Sequence, residues 1–139
     1  MGSMLIKAER IFDGQSDHVL EHAYVLVNGG LIEAIGPQAE LDGSHFAREM
    51  DLGSDVTLMP GLINMHTHMS FSGSATVFAD HQTESVETKL IRSVENLKMA
   101  LRTGVTTVRD CGTLNGVAFP MREAVENGIF QAPRIIASD

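Results

Sequence analysis

Pro60-Gly-Leu-Ile-Asn-Met-His-Thr-His-Met69 reads as an apolar strand that ends in two histidines, His66 and His68. Successive side chains of a strand point to opposite faces, so residues two apart share one face. Both imidazoles are therefore expected to project from one side of the same strand end. Two neutral imidazoles at that spacing can hold a first-row divalent cation, most often zinc. A catalytic zinc site normally has three protein ligands and a water molecule, whereas this pattern supplies two, so a pair of histidines without metal is the alternative.

Length, composition and charge are those of a globular chain that does not bind nucleic acid. The chain has 139 residues, of which 43% are hydrophobic and 20% are charged, so a core and a charged surface can both form. Its formal net charge is −8, and its ten Lys and Arg residues are scattered along the chain. Nucleic acid and anionic membranes both need clustered basic residues. We therefore expect neither as a partner.

The sequence carries few signals of a cellular compartment. Cys111 is the single cysteine, so no intrachain disulfide can form and nothing marks an oxidising compartment. Charged residues near the N-terminus leave no room for the apolar core of a signal peptide, and no run of about 18 apolar residues is present. These patterns predict a cytoplasmic protein.

Residues 4–57 read as short strands and turns. Three apolar runs stand in this region, at residues 4–12, 23–27 and 31–35. Asn28-Gly29-Gly30 separates the second run from the third, and Asn-Gly supplies the positive φ angles of a tight hairpin turn. Gly36-Pro37 is expected to end the hairpin. Residues 38–50 are polar, which predicts a loop with a short helical turn near residues 38–41.

Residues 58–139 alternate between strands and helices. A strand run over residues 56–65, interrupted by Pro60-Gly61, leads into this region, and small polar residues at 70–80 predict a flexible loop. Apolar residues then follow at the three- and four-residue spacing of an amphipathic helix: Val86, Leu90, Ile91, Val94, Leu97 and Leu101. Gly104 follows as a stop signal.

The remaining segments complete a strand–helix–strand–helix–strand pattern. Residues 105–108 form a β-branched run that suits a buried parallel strand. Pro120 fits the first turn of a second helix, which runs to about residue 127, and residues 134–137 form a third strand. This order implies right-handed crossovers and a parallel sheet.

These segments resemble the amidohydrolase superfamily, most of all its Xaa-Pro dipeptidase-like or imidazolonepropionase-related branch. Residues 60–68 look like the first barrel strand of that superfamily, whose motif is Pro-Gly-Leu-Ile-Asp-x-His-x-His, with Asn64 where the family usually has Asp. Residues 104–110 resemble the second barrel strand, and residues 132–138 resemble the start of the third. The resemblance covers nearly the whole chain.

The resemblance implies an α/β fold with two parts. Residues 58–139 would be the N-terminal part of a (β/α)₈ amidohydrolase barrel, with about two β/α units and a third strand. Residues 4–57 would be part of a small β-sandwich domain. A complete barrel of this kind has about 250 residues, so the chain is expected to be the N-terminal portion of a longer enzyme.

The function that the resemblance implies is metal-dependent hydrolysis of a C–N bond in a small amide or dipeptide. His66 and His68 would be ligands of one or two divalent ions, zinc being the first expectation. Family members place a bridging carboxylated Lys, two more His and a catalytic Asp on later strands, so no catalytic residue is assigned within this chain. The Asn64 position is not a family metal ligand, so we expect it to alter hydrogen bonding near the site.

A non-catalytic fragment is the alternative function. Three parallel strands would leave an open sheet edge and uncovered apolar surface, which favour self-association into a homo-oligomer.

His81 and Arg109 are further candidates, for substrate contact. His81 precedes the long helix in an expected loop, where the alternative is a solvated residue or a neighbour of the helix cap. Arg109 and Asp110 end the second strand and must point to opposite faces, so bracing of the loops is the favoured interpretation.

Cys111 is interpreted as a small buried residue. The remaining expectations concern histidines at the surface and methionines that fill the core: His18, His22 and His45, and Met59, Met65 and Met69. Residues 112–116 lack phosphate-loop spacing and are assigned no nucleotide role.

Overall fold

The structure is a computed structural model that describes residues 2–41, 43, 45–112 and 114–138. Within these residues it contains eight strands and three α-helices, and the chain divides into two compact units at the Pro60–Gly61 peptide bond. None of the helices in the described part of the chain is long and apolar enough to cross a membrane.

The described part of the first unit is built on one mixed sheet. Its strands are β1 (Met4–Ile11), β2 (Leu20–Asn28), β3 (Leu31–Pro37), β4 (Arg48–Asp51) and β5 (Thr57–Leu58). β1 is central, because it pairs antiparallel with β2 and parallel with both β4 and β5. The buried core of the unit comes from β1 and β2 and contains Ala8, Ile11, Ala23 and Val25.

The predicted hairpin between β2 and β3 is confirmed. Asn28 pairs with Leu31, so Gly29 and Gly30 form a two-residue turn, with φ angles of 58° and 84°. Two positive φ angles give the turn a twist that matches the flanking strands, and glycine adopts them without steric cost.

Residues 38–50 differ in part from the predicted loop. Gln38–Glu40 form the expected helical turn, but Arg48–Asp51 form β4. All four residues of β4 are exposed, so the strand carries no apolar alternation that a sequence pattern could have revealed. Residues 42 and 44 lie outside the described part of the chain.

The second unit contains a parallel sheet with helical crossovers, as predicted. Its elements are β6 (Leu62–Thr67), α1 (Val77–Thr83), α2 (Val86–Arg102), β7 (Val105–Asp110), α3 (Ala118–Glu126) and β8 (Arg134–Ala137). The sheet order is β6-β7-β8, and both pairings are parallel. The flexible loop expected at residues 70–80 was wrong in its last part, because α1 begins at Val77.

Helices α2 and α3 cover one side of this sheet. Ser85 caps the start of α2, since its side chain accepts a hydrogen bond from Thr88 N. The core between helices and sheet is apolar and consists of Met69, Leu97, Val108, Val117, Ala118, Met121 and Ile135.

Strand β6 leaves much of its apolar surface uncovered. Leu62, Ile63 and Met65 are 50%, 60% and 55% exposed. The prediction that the methionines fill the core is confirmed for Met69, at 2% exposure, and wrong for Met65 and for Met59, which is 50% exposed. In the described residues β6 is the end strand of the sheet, so its outer edge has no neighbouring strand to bury these side chains.

Side chains of α2 hold the loop that follows β6. Asn96 Nδ2 donates to the carbonyl oxygens of Met69 and Phe71, at 2.8 and 3.0 Å. Arg92 Nη1 donates to the Ser70 carbonyl oxygen at 3.3 Å, and the same guanidinium pairs with both carboxylate oxygens of Glu84. Three consecutive carbonyls of the loop are thus tied to one helix, which fixes the path of the chain after β6.

Glu84→Gln is expected to change how stability depends on pH. The Arg92 hydrogen bond is the main cause that lowers the pKa of Glu84 below its usual 4.5. A carboxyl group with a lowered folded-state pKa stabilises the fold above its unfolded pKa, and this contribution is lost as pH falls through the folded-state pKa. The variant should therefore be less stable than the wild type at neutral pH, and the difference should shrink below about pH 4.5 in denaturant titrations.

Glu95→Gln is the matched control for that measurement. Glu95 lies on the exposed face of α2, the helix that carries Arg92, and pairs with Lys98, with 66% of its side chain exposed. An exposed pair of this kind contributes little, so this variant should stay close to the wild type at every pH. A Glu84→Gln effect that is the same at acidic and neutral pH would contradict the expectation.

Gly61→Ala is expected to lower the free energy of unfolding by about 1–3 kcal/mol. A Cβ at this position would lie 2.2 Å from the Thr106 Cγ2 and Oγ1 atoms and 2.7 Å from Thr106 Cβ. A rotamer change of Thr106 cannot relieve the contact between the two Cβ atoms, because the backbone fixes the position of each. The backbones at residues 61 and 106 would therefore have to move apart. Denaturant titration of a double-mutant cycle with Thr106→Gly checks the cause: the Ala substitution should cost less in the Thr106→Gly background, and equal costs would rule out this contact.

Candidate metal centre

The two candidate ligands lie side by side at the carboxyl end of β6. His66 is within the strand, and His68 follows its last residue. Their ring centroids are 5.3 Å apart, with the ring planes at 76°. The Asn64 side chain, which stands where the motif usually has Asp, accepts a hydrogen bond from His66 N at 3.1 Å. Asn64 therefore shapes the backbone that carries the first histidine.

A backbone carbonyl orients the second histidine. His68 Nδ1 lies 2.9 Å from the Gly112 carbonyl oxygen, and since a carbonyl can only accept, Nδ1 carries the proton in this bond. In the neutral ring the lone pair is then on Nε2. Metal-ligating histidines characteristically donate their other ring N–H to a carbonyl or carboxylate, so His68 fits a ligand that binds through Nε2.

Phe71 packs between His68 and His81. Its ring stacks on His68 with centroids 4.6 Å apart and planes at 18°, and its centroid lies 4.7 Å from that of His81. The expected placement of His81 in a solvated loop was wrong, because His81 belongs to α1 and is 6% exposed. Burial is the main cause that lowers the pKa of His81, followed by the positive charge of Lys89, and both favour the neutral form of the ring.

Arg109 and Asp110 point to opposite sides of β7, as strand geometry requires. Arg109 is exposed, whereas Asp110 is completely buried. Asp110 Oδ2 accepts from Met69 N at 2.9 Å, and Asp110 Oδ1 accepts from Gly112 N at 3.0 Å. The carboxylate therefore braces the residues that follow β6 against those that follow β7.

The other residues singled out in the sequence lie away from the histidine pair or act in the fold. His18, His22 and His45 are exposed in the first unit, as predicted. Cys111 is half-buried, and its backbone N–H donates to the Thr67 carbonyl at 2.8 Å. Within residues 112–116, residue 113 lies outside the described part of the chain.

The described residues bring two candidate ligands together and add no third. Among them, no group of three or more His, Cys, Asp or Glu stands close enough together to hold a metal ion. No pattern in the sequence pointed to Phe71 or Gly112, because a stacking ring and a backbone carbonyl belong to no metal-binding motif. Asn96 carried a weak signal, as a polar residue beside the apolar stripe of α2.

Comparison with known proteins places these residues in a family. Residues 57–139 match the model of the Amidohydrolase family. Imidazolonepropionase of Pseudomonas paraeruginosa (strain DSM 24068 / PA7) is 40% identical over 68 residues, which are 49% of this chain and 17% of the relative. Imidazolonepropionase of Pseudomonas syringae pv. tomato (strain ATCC BAA-871 / DC3000) is 45% identical over 56 residues, which are 40% of this chain and 14% of the relative.

Solved structures match over nearly the whole chain. A Xaa-Pro dipeptidase with bound methionine in its active site aligns with a TM-score of 0.83 and 28% identity, over 98% of this chain and 33% of the dipeptidase. An ochratoxinase of A. niger aligns with a TM-score of 0.82 over 98% of this chain and 31% of its own, and at 20% identity it shows the fold alone.

These matches confirm the predicted α/β class of an amidohydrolase barrel. The chain spans 17% of the first curated relative and 33% of the dipeptidase structure, so it corresponds to part of each. Because the family model matches residues 57–139, which are more than half of the chain, this chain belongs to the amidohydrolase family.

Proposed function

We propose that this chain supplies two metal ligands, His66 and His68, to a hydrolase that cleaves a C–N bond in a small amide or dipeptide. The observation that carries the proposal is the His68 Nδ1–H bond to the Gly112 carbonyl, which leaves Nε2 available beside the His66 ring. Family membership and the likeness to a Xaa-Pro dipeptidase support the reaction class.

Each ligand is held by the protein in a different way. The Asn64 side chain accepts from His66 N, which orders the backbone of the first ligand. His68 is oriented by its hydrogen bond to Gly112 and by the stacked Phe71 ring. A divalent ion bound there, zinc in the first instance, would lower the pKa of a coordinated water toward about 7 and polarise the scissile carbonyl.

The remaining parts of the catalytic site would come from other segments of a longer polypeptide. A catalytic zinc site needs three protein ligands, and the described residues offer two. The chain covers 33% of the dipeptidase structure, which leaves room for further barrel strands in a protein of similar length. One or two ions fit this proposal equally.

The two substrate-contact candidates have different prospects in this arrangement. Arg109 is exposed at the end of β7 and remains a proposed substrate contact. His81 is 6% exposed and packs on Phe71, which favours a role in supporting that ring over direct contact with substrate. We further propose a cytoplasmic protein, because with a single cysteine nothing marks an oxidising compartment. Its net charge of −8 and its scattered basic residues support a protein without nucleic-acid or membrane partners.

Loss of both histidines should abolish metal binding by the polypeptide that carries this chain. His66→Ala combined with His68→Ala is expected to remove the bound metal and the amidase activity while the fold is retained, because His66 is exposed and neither side chain belongs to the apolar core. Elemental mass spectrometry after dialysis measures the metal, and circular dichroism checks the fold. The exposed pair His18→Ala and His45→Ala is the matched control and should keep both properties. Unchanged metal content in the variant that lacks His66 and His68 would contradict the proposal.

Self-association without catalysis is the second candidate function. The observation that favours it is the exposed apolar surface of β6, where Leu62, Ile63 and Met65 are each at least half exposed. An unpaired strand edge with such side chains is a template for pairing with another chain. In this alternative the 139-residue chain is a homo-oligomer without turnover.

Ile63→Lys should shift such an assembly toward the monomer. A charge at this 60% exposed strand position opposes the burial of the β6 surface against a second copy. Light scattering of the 139-residue chain gives the mass in solution. Ile91→Lys, at a 69% exposed position on α2, is the control and should leave the mass unchanged. A monomeric wild-type chain would exclude this second function.

A further inference from the structure

We infer that Asp110 is a positioning residue for His68, which it controls through the backbone of Gly112; this inference rests on the proposed function, in which His68 is a metal ligand. The Asp110 carboxylate fixes the Gly112 carbonyl against His68 Nδ1 and thereby sets which imidazole nitrogen is left for a metal.

The carboxylate is placed to act on both sides of His68. One oxygen accepts from the N–H of Met69, the residue after His68, at 2.9 Å. The other accepts from the N–H of Gly112, the residue whose carbonyl receives the His68 proton, at 3.0 Å. The backbone of the ligand and the carbonyl that orients its ring are therefore fixed to one rigid group.

Burial of Asp110 strengthens its hold on these two N–H groups. Asp110 is 0% exposed, so its oxygens cannot exchange these partners for bulk water. Hydrogen bonds from N–H groups to an ionised carboxylate are about twice as strong as bonds between neutral groups, and a buried carboxylate that loses one pays its desolvation cost. A shift of Gly112 away from Asp110 is thus opposed more strongly than an ordinary loop movement.

The chain of contacts from the Asp110 carboxylate through the Gly112 backbone to the His68 ring, called the relay below, depends on the backbone conformation of Gly112. Its φ angle is 118°, which L-residues with a side chain rarely adopt, and it turns the chain directly after β7. Apart from its two chain neighbours, no described residue has an atom within 4 Å of a Cβ added at Gly112, so a substitution there acts mainly through backbone conformation. Gly112→Ala therefore perturbs the carbonyl from the opposite end of the relay.

The Gly112 carbonyl distinguishes the two ring nitrogens of His68, whereas the stacked Phe71 ring does not. Phe71 stacks on the face of His68 and holds the ring plane, but a stacked ring does not distinguish Nδ1 from Nε2. The hydrogen bond to Gly112 does distinguish them, since it requires the proton on Nδ1. If the carbonyl moves, the neutral ring is free to carry its proton on Nε2, the nitrogen that a metal would need.

The test is the tautomer of His68, read by nitrogen NMR of the 139-residue chain labelled with ¹⁵N-histidine and free of metal. It is recorded about two pH units above the ordinary imidazole pKa of about 6.5, where a free imidazole is neutral. The wild type should show His68 protonated at Nδ1. Asp110→Asn keeps the size of the side chain but can accept from only one of the two N–H groups through its single oxygen, so a substantial Nε2–H population should appear.

Ser138→Ala is the matched control. Ser138 Oγ donates to the backbone carbonyl of Asp110 at 2.7 Å, so its loss weakens the same strand end without touching the carboxylate. It should lower stability and leave the His68 tautomer unchanged. If Asp110→Asn does not fold, Gly112→Ala carries the same test and should also populate the Nε2–H form.

The outcomes separate this inference from the proposed function. An unchanged His68 tautomer in Asp110→Asn, or in Gly112→Ala, overturns the relay, whatever the metal content of the His66 and His68 variants. The inference is also overturned if Ser138→Ala produces the same tautomer shift, because the cause would then be a general loss of order at this end of the sheet and not the Asp110 carboxylate. A shift confined to Asp110→Asn and Gly112→Ala supports it, and in the metal-loaded polypeptide each should weaken metal binding roughly 10- to 100-fold.

Discussion

The parallel pairing of β6 with β7 is the constraint on which the candidate site depends. Thr67 pairs with Asp110, and Cys111 N donates to the Thr67 carbonyl, so both strands end at the same edge of the sheet. The loops that leave the two strands are therefore neighbours in space. This is why His68 can donate to a carbonyl 44 residues further along the chain. An antiparallel partner would have placed the start of a strand, and not a loop after its end, beside His68.

Helix α2 serves two purposes in this arrangement. As the crossover between parallel strands it covers the sheet and buries Leu97 in the apolar core. Its polar side chains Asn96 and Arg92 meanwhile satisfy the carbonyls of the loop after β6. Buried polar groups cost free energy unless they find partners, so this helix must match the loop atom by atom as well as pack on the sheet. The loop after His68 consequently has one preferred path.

The exposed surface of β6 and the incompleteness of the candidate metal site have a common physical origin. Leu62, Ile63 and Met65 remain exposed because β6 ends the sheet in the described residues. The histidines at the end of the same strand find no third ligand among those residues. In a longer barrel, further strands would cover the apolar surface of β6 and add ligands to the histidine pair. In the self-associating alternative, a second copy of the chain would cover the apolar surface.

The sequence by itself determined the features that arise from local interactions. Apolar spacing located α2, β-branched runs located β7 and β8, the glycines at 29 and 30 located the hairpin, and the motif at residues 60–68 identified the histidine pair. Only the tertiary structure decided that Met65 is exposed, that His81 is buried and that His68 donates to Gly112. Exposure depends on which strands and helices become neighbours, and a backbone carbonyl is the same in every residue, so neither leaves a pattern that can be read along the chain.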